Sequence, residues 1–255
     1  MNEKVKELNL KNTNFKTPHG LDKEEHYTTA YELALITDYA MNIEKIKEVV
    51  ETKTYNVNIN GYNKTIKNTN ELLGYLKGVD GVKTGFTNGA GRCLVTSVER
   101  DGFDIITVVL GADTKKIRTS DSIKLIEYVY SNYELVNLEQ LINEEYNNWL
   151  YINKNRINIY KGKKESVKIK IDDYNYKKYP IKKEEIKNIK IEIENIKNNL
   201  EAPIYKNTQV AILNVSLEKN TLLSVNIVTD EEVEKKGVKE YVLECLKSVS
   251  KLNSL

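Results

Sequence analysis

Residues 80–96 read Asp80-Gly81-Val82-Lys83-Thr84-Gly85-Phe86-Thr87-Asn88-Gly89-Ala90-Gly91-Arg92-Cys93-Leu94-Val95-Thr96. A cation, a hydroxyl and a glycine follow one another in a strand-like run. A glycine-rich turn separates that run from an apolar one. Lys83 supplies a point charge and three N–H donors, and Thr84 supplies a hydroxyl. Gly85 has no Cβ, so a ligand or a second backbone can come close. Together they suit an anionic, peptide-like ligand laid along a strand. The bare triplet also has the composition of a solvated strand-to-turn junction.

Downstream, Cys93 to Val98 is an apolar strand, Asp101-Gly102 a turn, and Phe103 to Leu110 a second apolar strand. Links this short make antiparallel neighbours, so a three-strand meander is expected from about Val82 to Leu110. Lys115 to Tyr133 reads as a helix, with Ile117, Leu125, Tyr128 and Val129 available to pack on the sheet. Arg118 falls in its first turn, where a cation opposes the helix dipole. An anionic ligand for Arg118 is therefore weighed against a plain solvated position.

Upstream, Val5 and Leu8 have helical spacing, and Lys11 to Asp22 is a loop punctuated by Pro18 and Gly20. His19 in that loop reads as a structural hydrogen-bonder rather than a general base, since no acidic partner stands at an informative spacing. Thr29-Ala30-Tyr31-Glu32 is a capping box, in which Glu32 is expected to reach back to the cap. It opens a helix with Leu33, Ile36 and Ala40 on one face, and a second helix carries Ile43, Ile46, Val49 and Val50. Tyr55, Val57 and Ile59 alternate into Asn60-Gly61, a hairpin signal. Asn68-Thr69-Asn70-Glu71-Leu72-Leu73 then leads to the Lys83 strand.

From Leu135 the chain turns rich in Lys, Ile, Asn and Tyr. Alternating runs centre on Ile169, Ile191, Val210–Leu217 and Leu222–Val228. Short strands with turn signals between them predict a small all-β domain over 134–235, buried on one face and solvated on the other. Over 236–255, Val238, Tyr241, Val242, Cys245, Leu246, Val249 and Leu252 share one face of an amphipathic helix.

The chain has 255 residues, 39 basic against 37 acidic, for a formal net charge of +2. That balance argues against nucleic acid as a partner, because phosphate binding needs a basic excess on one face. No apolar run reaches the length of a membrane span, and the charged start Met1-Asn2-Glu3-Lys4 has no signal-peptide pattern. The two cysteines, Cys93 and Cys245, form no disulfide framework and read as partly buried thiols.

Asp-Gly-Val-Lys-Thr-Gly-Phe-Thr at 80–87, with Ala90-Gly91 and the strand after it, resembles the third motif of the penicillin-recognising serine acyl-transferases. More closely, it is similar to the low-molecular-weight D-alanyl-D-alanine carboxypeptidases. The phrases Asn14-Phe15-x-x-Pro18-His19-Gly20-Leu21-Asp22 and Asn68-Thr69-Asn70-x-Leu72-Leu73 resemble the same family. So does the layout of Ala202 to Asn207 before the strand at Val210. The resemblance implies an α+β fold. Residues 1–133 would be the later half of a penicillin-binding (β-lactamase-like) transpeptidase domain, an antiparallel sheet with helices. The all-β domain and the amphipathic helix would follow.

It also implies a serine-type D-Ala-D-Ala carboxypeptidase acting on peptidoglycan stem peptides outside the cytoplasmic membrane, with no cofactor and no metal. β-Lactams would bind the complete protein, and the last helix would lie on a membrane surface. Lys83 is the implied catalytic residue, with Lys83, Thr84, Gly85 and Arg118 binding substrate. A class A β-lactamase shares Lys-Thr-Gly but has no reason to carry the residues from 134 onward.

The motifs that should supply the nucleophile and the proton relay, Ser-x-x-Lys and Ser-x-Asn, precede Lys-Thr-Gly in this family. None of the 82 residues before Lys83 is Ser. Ser216-x-x-Lys219, Ser248-x-x-Lys251 and Ser224-x-Asn226 all follow it, and in a strand residues i and i+3 point to opposite faces. The expectation is that Met1 is an internal position of a longer protein and that this chain is inactive alone. The alternative is a non-catalytic binding or scaffold module, with the β-domain and terminal helix as a tether.

Overall fold

The structure is a computed structural model that describes residues 1–153, 156–175 and 177–252, with side-chain burial described as far as Leu246. The chain forms two compact units, Met1–Ser131 and Asn132–Leu255.

The first unit runs α1 (Asn2–Glu7), α2 (Ala30–Met41), α3 (Glu44–Glu51), β1 (Thr54–Ile59), β2 (Tyr62–Lys67), β3 (Val79–Thr87), β4 (Gly91–Arg100), β5 (Phe103–Ala112) and α4 (Lys115–Asn132). β1 and β2 make the expected hairpin across Asn60-Gly61, where both φ angles are positive, as a two-residue primed turn requires. β3, β4 and β5 form the expected meander in that order, all antiparallel. Gly78 at its entrance has a positive φ, and a Cβ there would stand 2.3 Å from the Glu99 carbonyl. Only glycine fits this approach of two backbones.

The core of this unit is Leu72, Leu94, Val98 and Ile126, with Val79, Ile105, Ile123 and Tyr130 packed around it. α4 faces the sheet with Arg118, Ser122 and Ile126, while Ile117, Leu125 and Tyr128 are exposed. Of the residues expected to pack, only Val129 is half-buried. The inward stripe has i, i+4, i+8 spacing but carries two polar residues, so hydropathy pointed to its neighbours. Tyr130 anchors the helix by sharing its hydroxyl between the Val98 and Phe103 carbonyls, at 2.9 and 2.8 Å. Burial pushes its phenol up to about 12.

The capping box is half formed. Thr29 accepts the Glu32 amide at 3.1 Å. The Glu32 side chain turns away from the cap. It is buried and accepts the Lys11 and Asn12 amides and the Thr13 hydroxyl. Fastening this loop satisfies more donors than a cap would. Glu32 thereby becomes a buried carboxylate whose burial opposes ionisation. The Thr13 hydroxyl and the Asn12 and Lys11 amides outweigh that and hold its carboxyl below the ordinary 4.5.

The second unit runs β6 (Tyr133–Asn137), α5 (Leu138–Asn153), β7 (Asn158–Tyr160), β8 (Ile169–Ile171), β9 (Lys178–Lys182), β10 (Ile189–Glu194), β11 (Asn199–Glu201), β12 (Gln209–Leu217), β13 (Asn220–Thr229) and α6 (Val238–Leu252). Its main sheet has the order β10-β12-β13-β8, all antiparallel. β6 pairs antiparallel with β9, and β7 parallel with β11. β8, β10, β12 and β13 fall where alternation placed them, whereas β6, β7, β9 and β11 carry no such run. The all-β expectation for 134–235 fails at its start, where α5 spans 16 residues. Leu138, Ile142, Tyr146 and Trp149 are its buried residues, a helical spacing that the local Asn and Glu content concealed. They join Val210, Leu213, Val215, Val225 and Ile227 in one core.

Lysine–glutamate pairs such as Lys161–Glu201 and Lys177–Glu139 line the solvated surface, where each contributes little to stability. On α6, Val238, Tyr241, Val242, Leu243 and Leu246 are exposed. Val249 and Leu252 of the expected stripe, and Ser248 and Lys251, lie outside the residues whose side chains are described. Cys93 is half-buried and Cys245 exposed, both free, so Cys245 is not the partly buried thiol expected.

A carboxyl with a lowered folded pKa contributes stability above its unfolded value and loses it as pH falls through the folded one. Glu32→Gln should therefore lower the urea midpoint at neutral pH. The gap to the unmodified chain should close as pH drops below 4.5. A gap independent of pH would assign the effect to packing instead.

Candidate functional site

β3 ends the order β3-β4-β5, so one of its edges carries backbone N–H and C=O groups unpaired by any described strand. Its register is Lys83 opposite Val95, Thr84 opposite Leu94, Gly85 opposite Cys93 and Phe86 opposite Arg92. Residues directly opposite share a face. Thr84 therefore lies with Leu94 on the face that packs on Ile126 of α4. Lys83 and Gly85 lie on the other face, with Gly81, whose Cβ position is 3.0 Å from Val50 of α3. An edge strand with period two thus offers a cation on one side and a hydroxyl on the other.

Lys83 is exposed, and its ammonium donates to the Thr84 carbonyl at 2.6 Å. The Thr84 hydroxyl donates to the Thr69 hydroxyl at 2.7 Å. A Cβ on Gly85 would meet only Cys93 Cβ, at an ordinary 3.7 Å. The chain's own packing therefore does not demand glycine there, and the small residue keeps the outer edge open. Phe86 is exposed beneath the Arg92 guanidinium, 3.7 Å from its ring centre, a cation–π contact that leaves a second positive charge near the edge.

The turn 68–71 holds this strand in place. The Asn68 side-chain amide donates to the Val50 and Thr52 carbonyls, both at 3.1 Å, which fixes the turn to the end of α3. Asn70 is buried; its amide donates to the Gly81 carbonyl at 2.8 Å, and its Oδ1 accepts the Leu72 N–H at 3.1 Å. Thr69 meets Thr84. Glu71 pairs with Arg118 through Nη2. One turn thus touches α3, β3 and α4.

Arg118 is neither solvated nor free. It is buried, with Glu71 as its carboxylate partner, and its Nε has no hydrogen-bond partner. The structure brings Thr84 and Arg118 to one face of the sheet, with Lys83 and Gly85 on the opposite face. His19 is exposed and accepts the Leu21 N–H at 3.2 Å, in line with a structural role. Asp22, in the same loop, accepts the Gly89 N–H at 3.1 Å and fastens the β3–β4 turn. Sequence reading missed Thr69, Glu71 and Arg92. The polar run Asn68–Glu71 was the available signal, because four consecutive polar residues before an edge strand are poor core and good turn. Among the described residues, no group of three or more His, Cys, Asp or Glu is placed to hold a metal ion.

Residues 1–114 match the family described as D-alanyl-D-alanine carboxypeptidase, and residues 151–235 match the penicillin-binding protein 5 C-terminal domain. The D-alanyl-D-alanine carboxypeptidase DacF of Bacillus subtilis is 32% identical over 246 residues, covering 93% of this chain and 58% of that protein. DacA of Haemophilus influenzae is 32% identical over 244 residues with the same coverage. Penicillin-binding protein 5 of Haemophilus influenzae superposes with a TM-score of 0.64 at 28% identity, over 92% of this chain and 64% of that one. The chain therefore spans less than two thirds of the length of these relatives.

Asn70→Ala leaves the Gly81 carbonyl and the Leu72 N–H without a partner, at about 1–3 kcal/mol for each buried group. Urea unfolding should detect the loss. Amide exchange at Val82–Gly85 should accelerate more than at Val108 on β5. Uniform acceleration across the sheet would mean that the turn does not specifically hold β3.

Proposed function

The chain belongs to the D-alanyl-D-alanine carboxypeptidase family, and from that premise we propose that the open edge of β3 binds the D-Ala-D-Ala end of peptidoglycan stem peptides. The observation that carries this reading is the free edge at Lys83-Thr84-Gly85, with Thr84 and Arg118 on one face of the sheet. A peptide laid against Gly85 and Phe86 adds a strand: main-chain hydrogen bonds supply affinity and the flanking side chains supply selectivity. The Thr84 hydroxyl and the Arg118 guanidinium hold the terminal carboxylate. Arginine suits that task because its planar fork matches a carboxylate.

Lys83 provides positive charge on the opposite side of the strand, beside the scissile amide, and assists proton transfer there. In a serine-type carboxypeptidase an activated Ser attacks that amide, D-Ala leaves, and water releases the acyl group. No Ser occurs in residues 1–82, and Ser216 and Ser224 sit in strands of the second unit. The 255-residue chain by itself therefore binds such peptides without cleaving them, and its place of action is the cell wall outside the cytoplasmic membrane. In a catalytically complete carboxypeptidase of this family the same edge would take β-lactams.

A second activity is favoured by α6. Its described apolar side chains are exposed although the helix is amphipathic. An amphipathic helix with a free apolar face lies down in the membrane interface. No described helix is long and apolar enough to cross a membrane. On this reading the second unit tethers the first to a membrane surface. A tether needs no catalysis, so this also accommodates a binding or scaffold role.

Two measurements follow. The purified chain should release no D-Ala from a diacetyl-Lys-D-Ala-D-Ala peptide. Release that Lys83→Ala abolishes would refute the missing-nucleophile reading. The chain should also co-sediment with vesicles of anionic phospholipid, and Leu246→Asp should leave it in the supernatant. Equal partition of both proteins would remove α6 as the tether.

A further inference from the structure

The ion pair between Glu71 and Arg118 is unequal. The Arg118 side chain is 3% exposed, whereas that of Glu71 is 48% exposed. The guanidinium sits behind the carboxylate. Its Nη2 is taken by Glu71, the more exposed partner. Thr119 joins the pair: its hydroxyl lies 3.4 Å from both Arg118 Nη2 and Glu71 Oε2. An incoming carboxylate that pairs with Nη2 must take the place of the Glu71 carboxylate.

Glu71 has a second place to go. It lines a groove of about 620 Å³ with Tyr75, Lys115, Lys116 and Thr119. Among the described residues, neither Lys115 nor Lys116 has a carboxylate partner, and both occupy the first turn of α4 without an acidic residue there. Cations crowded at a helix N-terminus oppose the dipole, so this corner attracts a displaced carboxylate.

We propose that Glu71 is an internal competitor for Arg118, a latch that the ligand's terminal carboxylate must displace into the Lys115–Lys116 groove. The proposal rests on the reading of Arg118 as the carboxylate anchor. With Glu71 seated, Arg118 is neutralised and its Nη2 is occupied, and a ligand without a terminal carboxylate gains nothing by unseating it. Glu71 therefore sharpens selection for a free C-terminus. It does so at the expense of affinity, because only the unlatched fraction is competent to bind. If about one molecule in ten is unlatched, removing the latch should tighten apparent binding by about tenfold.

Calorimetric titration of the full chain with diacetyl-Lys-D-Ala-D-Ala, and with the same peptide amidated at its C-terminus, tests this. Glu71→Gln should bind the acid about tenfold more tightly and the amide no differently. Arg118→Gln added to Glu71→Gln should abolish the gain. Glu71→Asp, with a shorter reach and the same charge, should lie between, which guards against a folding defect in the Gln variant. Thermal unfolding gives an independent readout. Glu71→Gln should melt lower without ligand, and saturating acid peptide should narrow the gap, since the ligand then supplies the missing carboxylate.

Equal or weaker acid binding by folded Glu71→Gln and Glu71→Asp, with Arg118→Gln weakening it, would overturn the latch and leave the carboxylate anchor standing. Acid binding unaffected by Arg118→Gln, or no binding by any variant, would overturn the anchor and the latch together.

Discussion

The side chain of Asn70 is buried between two stretches of backbone and satisfies both, donating to the Gly81 carbonyl and accepting the Leu72 amide. Gly81 begins the run that carries Lys83, Thr84 and Gly85. Leu72 is fully buried in the core of the first unit. Asn70 therefore couples the position of the edge strand to the packing of the core. Its neighbours extend that coupling: Asn68 reaches the end of α3, Thr69 the Thr84 hydroxyl and Glu71 the Arg118 guanidinium. A buried polar group with every partner in place rigidifies its surroundings; with one removed it is a liability. The site inherits its precision from this turn.

Arg118 illustrates a different balance. A guanidinium this far from solvent needs a compensating anion, because an unpaired buried charge is strongly destabilising. Glu71 provides it across the wall of the site. Around them, Thr96 and Thr107 have hydroxyls without partners, as does Arg118 Nε. This α4-facing layer is more polar than a packed core ordinarily is. Such under-satisfied polar groups concentrate where a structure serves binding rather than stability alone.

The second unit rests on other physics. Its core is a continuous apolar layer between α5 and the β10-β12-β13-β8 sheet. The Lys and Glu side chains on its exterior form pairs in water, which contribute solubility more than stability. Among the described residues no chemistry-bearing cluster interrupts that layer, and the described apolar side chains of α6 are exposed.

Much of this was legible in the chain itself. Apolar runs marked β4 and β5 and period-two runs marked β10, β12 and β13, because a strand buried on one face must alternate or, when buried on both, must be apolar throughout. The Asn60-Gly61 pair fixed the β1–β2 hairpin, and the phrase around Lys83 identified the family. Tertiary structure decided what local pattern cannot encode. α4 turns Arg118 and Ser122 inward because Glu71, from the turn before β3, receives the Arg118 guanidinium and the Arg118 carbonyl on the same helix receives the Ser122 hydroxyl. Glu32 leaves its own cap because three residues of a distant loop offer it more donors. α5 is a helix inside a domain of strands because Leu138, Ile142, Tyr146 and Trp149 meet an apolar sheet. The pairing of Glu71 with Arg118 joins residues 47 positions apart. A sequence specifies the chemistry of each side chain and its local period. Which carboxylate meets which cation is settled only when the folded chain brings them together and removes the water between them.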